Sequence, residues 1–290
     1  MTMAHIPVLL AESIEALNIV PDGTYVDATL GFGGHSVAIL KKLNQGKLIG
    51  IEIDKNTYDQ AKSLFSDREN VFLHCSNFVN AFGSFVPHSF GQVDGILFDL
   101  GVNVHQIKES DKGLSFLKNQ YLDMRLSESN GPTAADIISS SGEQELVEIF
   151  KKADERFARP IAKKIIEQRR RAKIETTDQL AELVGSIKKR RGRTHPATQV
   201  FMALRMTVNK ELENISKALP DAVEILKPGG RIAVITFHST EDRLVKNIFK
   251  ELVAVKKIKL INKKVITASR KEQLSNPLSR SAKLRIGERL

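Results

Sequence analysis

The residues best suited to chemistry lie in the first third of the chain. Residues 27–36 read DATLGFGGHS: an aspartate near the end of an apolar run, three glycines within four positions, then His35 and Ser36. Glycines after a strand let a ligand approach the backbone where a Cβ would intrude, and they also serve tight turns for plain steric reasons. In the dinucleotide fingerprint the spacing is G-x-G-x-x-G, with an acidic residue about 20 positions onward on the ribose. Here the glycines are Gly31, Gly33 and Gly34, and Ser36 stands where the third fingerprint glycine belongs. Asp54, at the end of KLIGIEID, falls where a ribose-binding carboxylate belongs. Asp99, in VDGILFDLGV, ends a buried run at the edge where open α/β sheets hold their ligands. Each carboxylate has a plainer reading as a helix cap or loop residue. The functional reading is preferred for Asp54 and Asp99, and Asp27 reads either way. His35 invites thoughts of a base or a metal ligand, but a hydrogen-bonding role at a helix start suits it better. No His, Asp and Glu group has metal-ligand spacing, and no metal is expected.

These residues need a sheet to crown. TYVDATL (24–30), KLIGIEID (47–54), NVFLHC (70–75) and VDGILFDLG (93–101) read as strands, and HSVAILKKLN (35–44) and TYDQAKSLF (57–65) carry helical spacing between them. Such alternation predicts parallel βαβ units with right-handed crossovers. The next clear strand, GGRIAVITFH (229–238), comes more than 120 residues later, after a helix over 211–226. A βαβ unit needs only a few dozen residues, so something is inserted. Residues 143–153, 158–171, 176–189 and 197–215 show helical apolar spacing, with Thr176 or Thr177 as N-cap and NGPTAAD (130–136) as a turn leading in. Residues 103–130 read as a long loop leaving the sheet. The basic tail from 262 ends in an alternating segment suited to an added strand. The fold expected is α/β, a nucleotide-binding sheet interrupted by an all-α domain. The parts are 1–107, the insert with its leading loop at 108–208, and 209–290.

Composition narrows the partners. The single cysteine, Cys75, excludes internal disulfides and cysteine metal clusters and fits a reducing cytoplasm. No apolar stretch approaches the ~20 residues of a membrane span, and the N-terminus lacks the basic lead of a signal peptide. The net charge of +10 is uneven. Residues 1–130 hold 10 Lys and Arg against 15 Asp and Glu, residues 131–210 hold 17 against 10, and residues 211–290 hold 17 against 9. A basic remainder behind an acidic first part suits either a polyanion partner or solvated helix faces. QRRRAK (168–173) and KKRRGRTHP (188–196) are dense enough to grip phosphates; KKRRGR exceeds what a helix end needs, which favours RNA there.

LKPGGRIAVIT (226–236), a helix end, a Pro-Gly-Gly turn and a late strand, is a pattern of S-adenosylmethionine-dependent methyltransferases. The chain resembles one family nearly end to end: the bacterial small-subunit (16S) ribosomal RNA cytosine-N4-methyltransferases, the MraW/RsmH family. The resemblance is carried by HIPVLLAE (5–12), DATLGFGGHS, IGIEID, DLGV with Gln106 after it, LDMRL (122–126), TAAD (133–136), ERFARPIA (155–162), HPATQVFMALRMTVNKELE (195–213), KPGGRIAVITFHSTEDRLVK (227–246) and NPLSRSAKLRIGER (276–289). Departures are Asn103-Val104 for the family's usual Ser-Ser, GLSF (113–116), YLDMRL (121–126) and Phe32. Val104 removes a hydroxyl beside the expected reaction centre.

The resemblance implies a Rossmann-like S-adenosylmethionine-dependent methyltransferase sheet interrupted by a helical substrate-binding domain. It implies methylation of a cytosine amino nitrogen in small-subunit ribosomal RNA, within an assembled or nearly assembled subunit. Gly33, Gly34 and His35 would cradle the methionine end of S-adenosylmethionine, with helix-opening amides toward its carboxylate. Asp54 would take the ribose hydroxyls, Phe78 would pack on adenine or simply belong to the core, and Asp99 and Gln106 would complete the pocket. Asp99, with the Leu100–Gly101 backbone, is also the candidate catalytic group, because an acceptor on the cytosine amine favours a nucleophilic nitrogen. His238 could face the base, with Ser239, Asp242 or Thr240 capping the next helix, and the loop with Phe116, Tyr121 and Arg125 is a candidate wall for an unstacked base. The competing readings are a methyltransferase for another RNA or for DNA, and an RNA-binding ribosome-assembly factor with slow transfer. The broken fingerprint disfavours a nicotinamide dehydrogenase. No feature fixes an oligomeric state.

Overall fold

A computed structural model describes residues 6–101, 107, 110–127, 131–189 and 194–290. Eight strands form one sheet: β1 (Thr24–Asp27), β2 (Lys47–Glu52), β3 (Val71–Cys75), β4 (Val93–Asp99), β5 (Leu226–Thr236), β6 (Ile258–Leu260), β7 (Ile266–Thr267) and β8 (Lys283–Arg289). Their order is β3-β2-β1-β4-β5-β8-β6, with β7 also on β8. Strands β1 to β5 pair in parallel, and β8 runs antiparallel to β5, β6 and β7. The order reverses between β1 and β4, so the crevice at their carboxyl ends is the switch point where such sheets bind ligands. Asp27 and Asp99 end those two strands, and Glu52 ends β2 beside them.

Both sheet faces are buried, which is why the strands read as continuous apolar runs. Val26, Ile96, Phe98 and Val234 pack on one side with Ala218, Leu219, Val245 and Phe249. Tyr25, Leu97, Ala233 and Ile235 alternate to the other side with Leu9, Leu17 and Ile39. Lys227–Gly230, the K-P-G-G segment, lies within β5 rather than before it. Leu226 pairs with Val93 and Arg231 with Gly95, so the intervening residues bulge opposite Asp94. Lys227 Nζ holds the Asp94 carboxylate there at 2.8 Å. Residues 78–90, which carry no clear signal in the sequence, form helical turns with a π-helical step at Ala81–Phe85.

The chain divides into two compact units, residues 1–101 with 212–290, and residues 102–211. The second unit is helical, with helices at Ala134–Ser140, Glu143–Lys151, Ala158–Arg169, Thr177–Ile187 and Thr198–Val208. Thr133 and Thr176 each close a capping box, on Asp136 and Gln179. The pattern over 197–215 is not one helix. It breaks after Val208, where Lys210 takes a positive φ of 51° and a new helix starts at Glu211. Leu146, Phe150, Ile161, Ile165, Leu180, Val184, Phe201 and Leu204 fill this unit's own core.

Candidate functional site

The glycine loop is fastened from below. Asp27, 1 % exposed, accepts from Ser36 Oγ at 2.7 Å and from the Thr29 N–H at 3.2 Å. Thr29 Oγ1 in turn accepts the Asp99 N–H at 2.6 Å, which ties the loop after β1 to the end of β4. Burial lifts the Asp27 carboxyl to about 6 against the pull of those hydrogen bonds. The plainer alternative for Asp27, a loop carboxylate, is what the structure shows: both its oxygens are used within the loop.

Gly33 has φ +78°, and a Cβ there would meet the Phe65 ring at 2.8 Å; a Cβ on Gly34 would meet Pro7 Cγ at 2.3 Å. Packing alone therefore demands both glycines. The Gly33 N–H already donates to Leu30 O at 2.8 Å. Gly34 opens the helix Gly34–Leu40, whose first N–H groups have no partner within the helix. His35 is buried, and its Nε2 lies 3.1 Å from Val8 O. A carbonyl only accepts, so Nε2 carries the proton and Nδ1 faces Asp99 Oδ2 at 3.6 Å. Pro7 and Val8 come from the HIPVLLAE block, whose part in the site the sequence does not reveal. The C-terminal helix Arg270–Ser275 holds that block: Glu272 accepts the Leu9 N–H, and Asn276 Nδ2 donates to Ile6 O.

Asp99 is the distinctive group. Its side chain is 21 % exposed, yet Oδ1 is buried with no hydrogen-bond partner among the described residues. Burial first, then the negative charges of Asp27 and Glu241, push its carboxyl up to about 8. A cationic or N–H donor beside Oδ1 would relieve that orphaned oxygen and favour its ionised form. Asp54 caps the helix Lys55–Leu64, where its Oδ1 accepts from both Thr57 N and Thr57 Oγ1 at 2.8 Å. Phe78 begins the turn after β3, half-buried, with its ring edge-on to Phe98 at 5.5 Å. Gln106, Asn103 and Val104 lie outside the described residues. Glu52, not singled out in the sequence, accepts the Gly31 N–H at 2.9 Å and the Asp54 N–H at 2.8 Å, and burial lifts its carboxyl to about 7.

His238, not Ser239, Thr240 or Asp242, caps the helix Ser239–Ala254. Its Nδ1 accepts the Glu241 N–H, and its Nε2 lies 3.0 Å from Glu241 Oε1. Asp242 instead pairs with Lys283 and Arg285 on β8.

In the helical unit, Arg125 is clamped on Asp123 through Nε at 2.7 Å and Nη2 at 2.9 Å, and that guanidinium holds the Asp123 carboxyl below its usual range. Phe116 stacks on His195 at 4.3 Å and meets Phe201 edge-on. Tyr121 alone of the three expected wall residues is exposed, at 48 %. The basic runs divide similarly. Arg169 donates to the carbonyls of Ile138 and Ser141, and Lys188 pairs with buried Glu155 at 2.7 Å and with Gln199. Arg170, Arg171 and Lys189 are exposed, and residues 190–193 lie outside the described residues. No helix among the described residues is long and apolar enough to cross a membrane.

The site suits S-adenosylmethionine in its chemistry. The sulfonium and ammonium of that molecule are cations, and Asp99 offers a buried acceptor without a partner among the described residues. A profile of the MraW methylase family matches residues 2–290. Proteins named "Ribosomal RNA small subunit methyltransferase H" from Clostridium botulinum strains Loch Maree and Kyoto are each 44% identical over 99% of this chain and 99% of their own length. A crystal structure described as a putative rRNA-methylase from Clostridium thermocellum aligns over 99% of this chain and 100% of its own, with 14% identity and a TM-score of 0.48. The chain belongs to the MraW methylase family of S-adenosylmethionine-dependent methyltransferases.

Proposed function

We propose that this protein methylates the N4 amino group of a cytosine in small-subunit ribosomal RNA. The relatives named for ribosomal RNA support the substrate class at near-full coverage. The observation that carries the site is the buried Asp99 Oδ1, unpartnered among the described residues, at the switch point next to the glycine loop.

The sulfonium of bound S-adenosylmethionine supplies an electrophilic methyl group. The chain's own residues position and desolvate. The backbone from Gly33 to His35 borders the methionine end, and the Gly34 N–H, at the start of its helix, is directed to a carboxylate. Asp54 keeps Oδ2 for the ribose, because the cap occupies Oδ1. Phe78 offers its half-buried ring to the adenine; Gln106, which lies outside the described residues, is assigned to the pocket by the family resemblance alone. Asp99 takes an N–H donor on Oδ1. On the cofactor side that donor is the ammonium; on the substrate side it is the cytosine amine, whose lone pair the contact frees for attack. In-line transfer needs the amine held near the methyl carbon with water excluded, which is positioning work. The helical unit supplies the RNA grip through Arg170, Arg171 and Lys189, with the basic residues of 190–193 beside them in sequence, giving salt-dependent affinity without base choice.

The test is transfer of labelled methyl to small subunits lacking the modification, followed by digestion to nucleosides, with Asp99→Asn alongside. Label in N4-methylcytidine that the variant loses is expected. Label in another nucleoside overturns the target. Tight cofactor and RNA binding without any label favours an assembly factor. S-adenosylhomocysteine titration separates the two Asp99 contacts: lost binding marks the cofactor side, retained binding with lost transfer the substrate side.

A further inference from the structure

Residues 6–9 lie against the glycine loop, and their hold on it runs through the far end of the chain. Pro7 packs on Gly34, where a Cβ would come within 2.3 Å of its Cγ, and Val8 O lies 3.1 Å from His35 Nε2. Leu9 is fully buried in the left-handed region at φ +52°, a conformation that a residue with a Cβ adopts only where its surroundings impose it. Two side chains flank the segment. Glu272 Oε1 accepts the Leu9 N–H at 2.7 Å, and Asn276 Nδ2 donates to Ile6 O at 2.9 Å. Ser269 caps the short helix that carries Glu272, and Asn276 behind it is buried. The helix Leu10–Leu17 has an anchor of its own, Arg231 Nη1 on Ala16 O, so the Glu272 and Asn276 contacts bear on residues 6–9 alone.

We infer that Glu272 and Asn276 are positioning residues for the ligand site: they hold residues 6–9 so that Val8 O keeps the His35 proton on Nε2. This rests on the cofactor pocket assigned above. Both act through main-chain atoms, of Leu9 and of Ile6, and the link to ligand binding is the imidazole. With the proton on Nε2, Nδ1 turns a lone pair toward Asp99 Oδ2 at 3.6 Å, beyond hydrogen-bond distance. The Asp99 carboxylate therefore keeps its capacity for a donor on a ligand. Were Val8 O withdrawn, the proton would be free to move to Nδ1 and fill Asp99 from within the protein. That shift competes with the ammonium or amine assigned to the carboxylate. Pro7 would at the same time lose its seat on Gly34, whose N–H opens the helix toward the methionine end.

The experiment compares the full-length protein with Glu272→Ala, Glu272→Gln, Asn276→Asp and Asp99→Asn. Ring nitrogen-15 spectra of histidine-labelled protein without ligand report the His35 tautomer, the signal being assigned by comparison with His35→Gln. S-adenosylhomocysteine titration calorimetry reads affinity on the same samples. Wild type and Glu272→Gln, whose amide oxygen still accepts the Leu9 N–H, should both carry the proton on Nε2 and bind alike. Glu272→Ala, and Asn276→Asp with an acceptor set against Ile6 O, should move the proton toward Nδ1 and weaken binding about threefold to tenfold. An unchanged tautomer in those two variants refutes the positioning role. Equal weakening by Glu272→Gln and Glu272→Ala also refutes it, because the charge and not the contact would then matter. If Asp99→Asn loses binding and neither Glu272→Ala nor Asn276→Asp does, the pocket stands and the positioning role falls. If Asp99→Asn binds as wild type does, the pocket assignment fails and this inference with it. Should Asn276→Asp not fold, the two Glu272 variants decide.

Discussion

Lys188 begins the most basic run in the chain, yet its structure is that of a strut, and that difference can be measured. Its ammonium lies 2.7 Å from Glu155 Oε2, and the Glu155 side chain is fully buried while that of Lys188 is 20 % exposed. Glu155 Oε1 accepts the Phe157 N–H at 2.9 Å, just before the helix Ala158–Arg169. Among the described residues, Lys188→Ala therefore leaves a buried carboxylate with one backbone donor and no cation. Breaking a buried pair from one side costs about 3–5 kcal/mol; the partial exposure of Lys188 admits water and lowers this to about 2–4 kcal/mol. At about 2–4 °C per kcal/mol for a chain of this size class, the melting temperature should fall by roughly 5–15 °C. Lys188→Met with Glu155→Gln removes the uncompensated charge and keeps an acceptor for Phe157, so the double variant should recover much of the loss.

The assay pairs differential scanning calorimetry with RNA binding over a salt series. A phosphate contact contributes close to one unit to the slope of log K against log salt. A strut contributes nothing to that slope while the protein is folded. A Lys188→Ala protein that melts with wild type and loses about one unit of slope would refute the strut. Unchanged slope with a large fall in melting temperature is the expected result.

Arg170→Ala with Arg171→Ala should do the reverse, reducing the salt slope by about 1–2 with melting unchanged; both side chains are exposed. Gly34→Ala drives a Cβ to 2.3 Å from Pro7 Cγ, so it should cost about 1–3 kcal/mol by overpacking and weaken S-adenosylhomocysteine binding, both visible in one calorimetric series. Thr133→Ala removes a capping box in the helical unit and should cost about 1 kcal/mol without altering cofactor affinity. Asp27, Glu52 and Asp99 sit at about 6, 7 and 8 when folded, above ordinary carboxyl values near 4. Between those values the folded chain binds more protons than the unfolded one, so stability falls as pH rises from about 4 to 8. Denaturant unfolding of the ligand-free protein across that range should show the decline, and a cationic ligand beside Asp99 should reduce it.

Much of the sheet was legible because parallel strands buried on both faces leave long apolar runs. TYVD, KLIGIE, VFLHC and VDGILFD need no tertiary knowledge to be read as strands. The boundaries were less legible, because the residues just past each strand end form loops set by side-chain contacts. The break at Asn209–Lys210 hides inside an apolar pattern of continuous helical period, and only a non-glycine φ of 51° reveals it. The basic runs show the same limit. Charge density marks an exposed face, but whether a given cation points to solvent depends on distant partners: Glu155 for Lys188, and the carbonyls of Ile138 and Ser141 for Arg169. Sequence spacing carries no trace of those pairings.

The carboxylates show most clearly what spacing leaves out. In the sequence Asp27, Glu52, Asp54 and Asp99 are equivalent, each at or just past a strand end on the ligand edge of the sheet. What separates them is how many of their oxygens the protein itself already uses. Asp27 and Glu52 have both engaged, on Ser36 and Thr29 and on Gly31 and Asp54. Asp54 has one engaged, on Thr57, and Asp99 has an oxygen with no hydrogen bond among the described residues. A carboxylate whose oxygens are filled by loop N–H and O–H donors orders those loops but has little left to offer a ligand; one with an empty, buried oxygen is costly until a donor arrives. On that reasoning Asp99→Asn should stabilise the ligand-free protein while it weakens S-adenosylhomocysteine binding, because an amide relieves the charge repulsion from Asp27 and Glu241 and discards the attraction for a cation. Asp27→Asn should instead lose stability and affinity together, since Ser36 and Thr29 both need an acceptor. Opposite signs for the two variants in a paired melting and binding measurement are the expected result, and the same sign in both would show that oxygen occupancy does not sort ligand-binding carboxylates from structural ones at this edge.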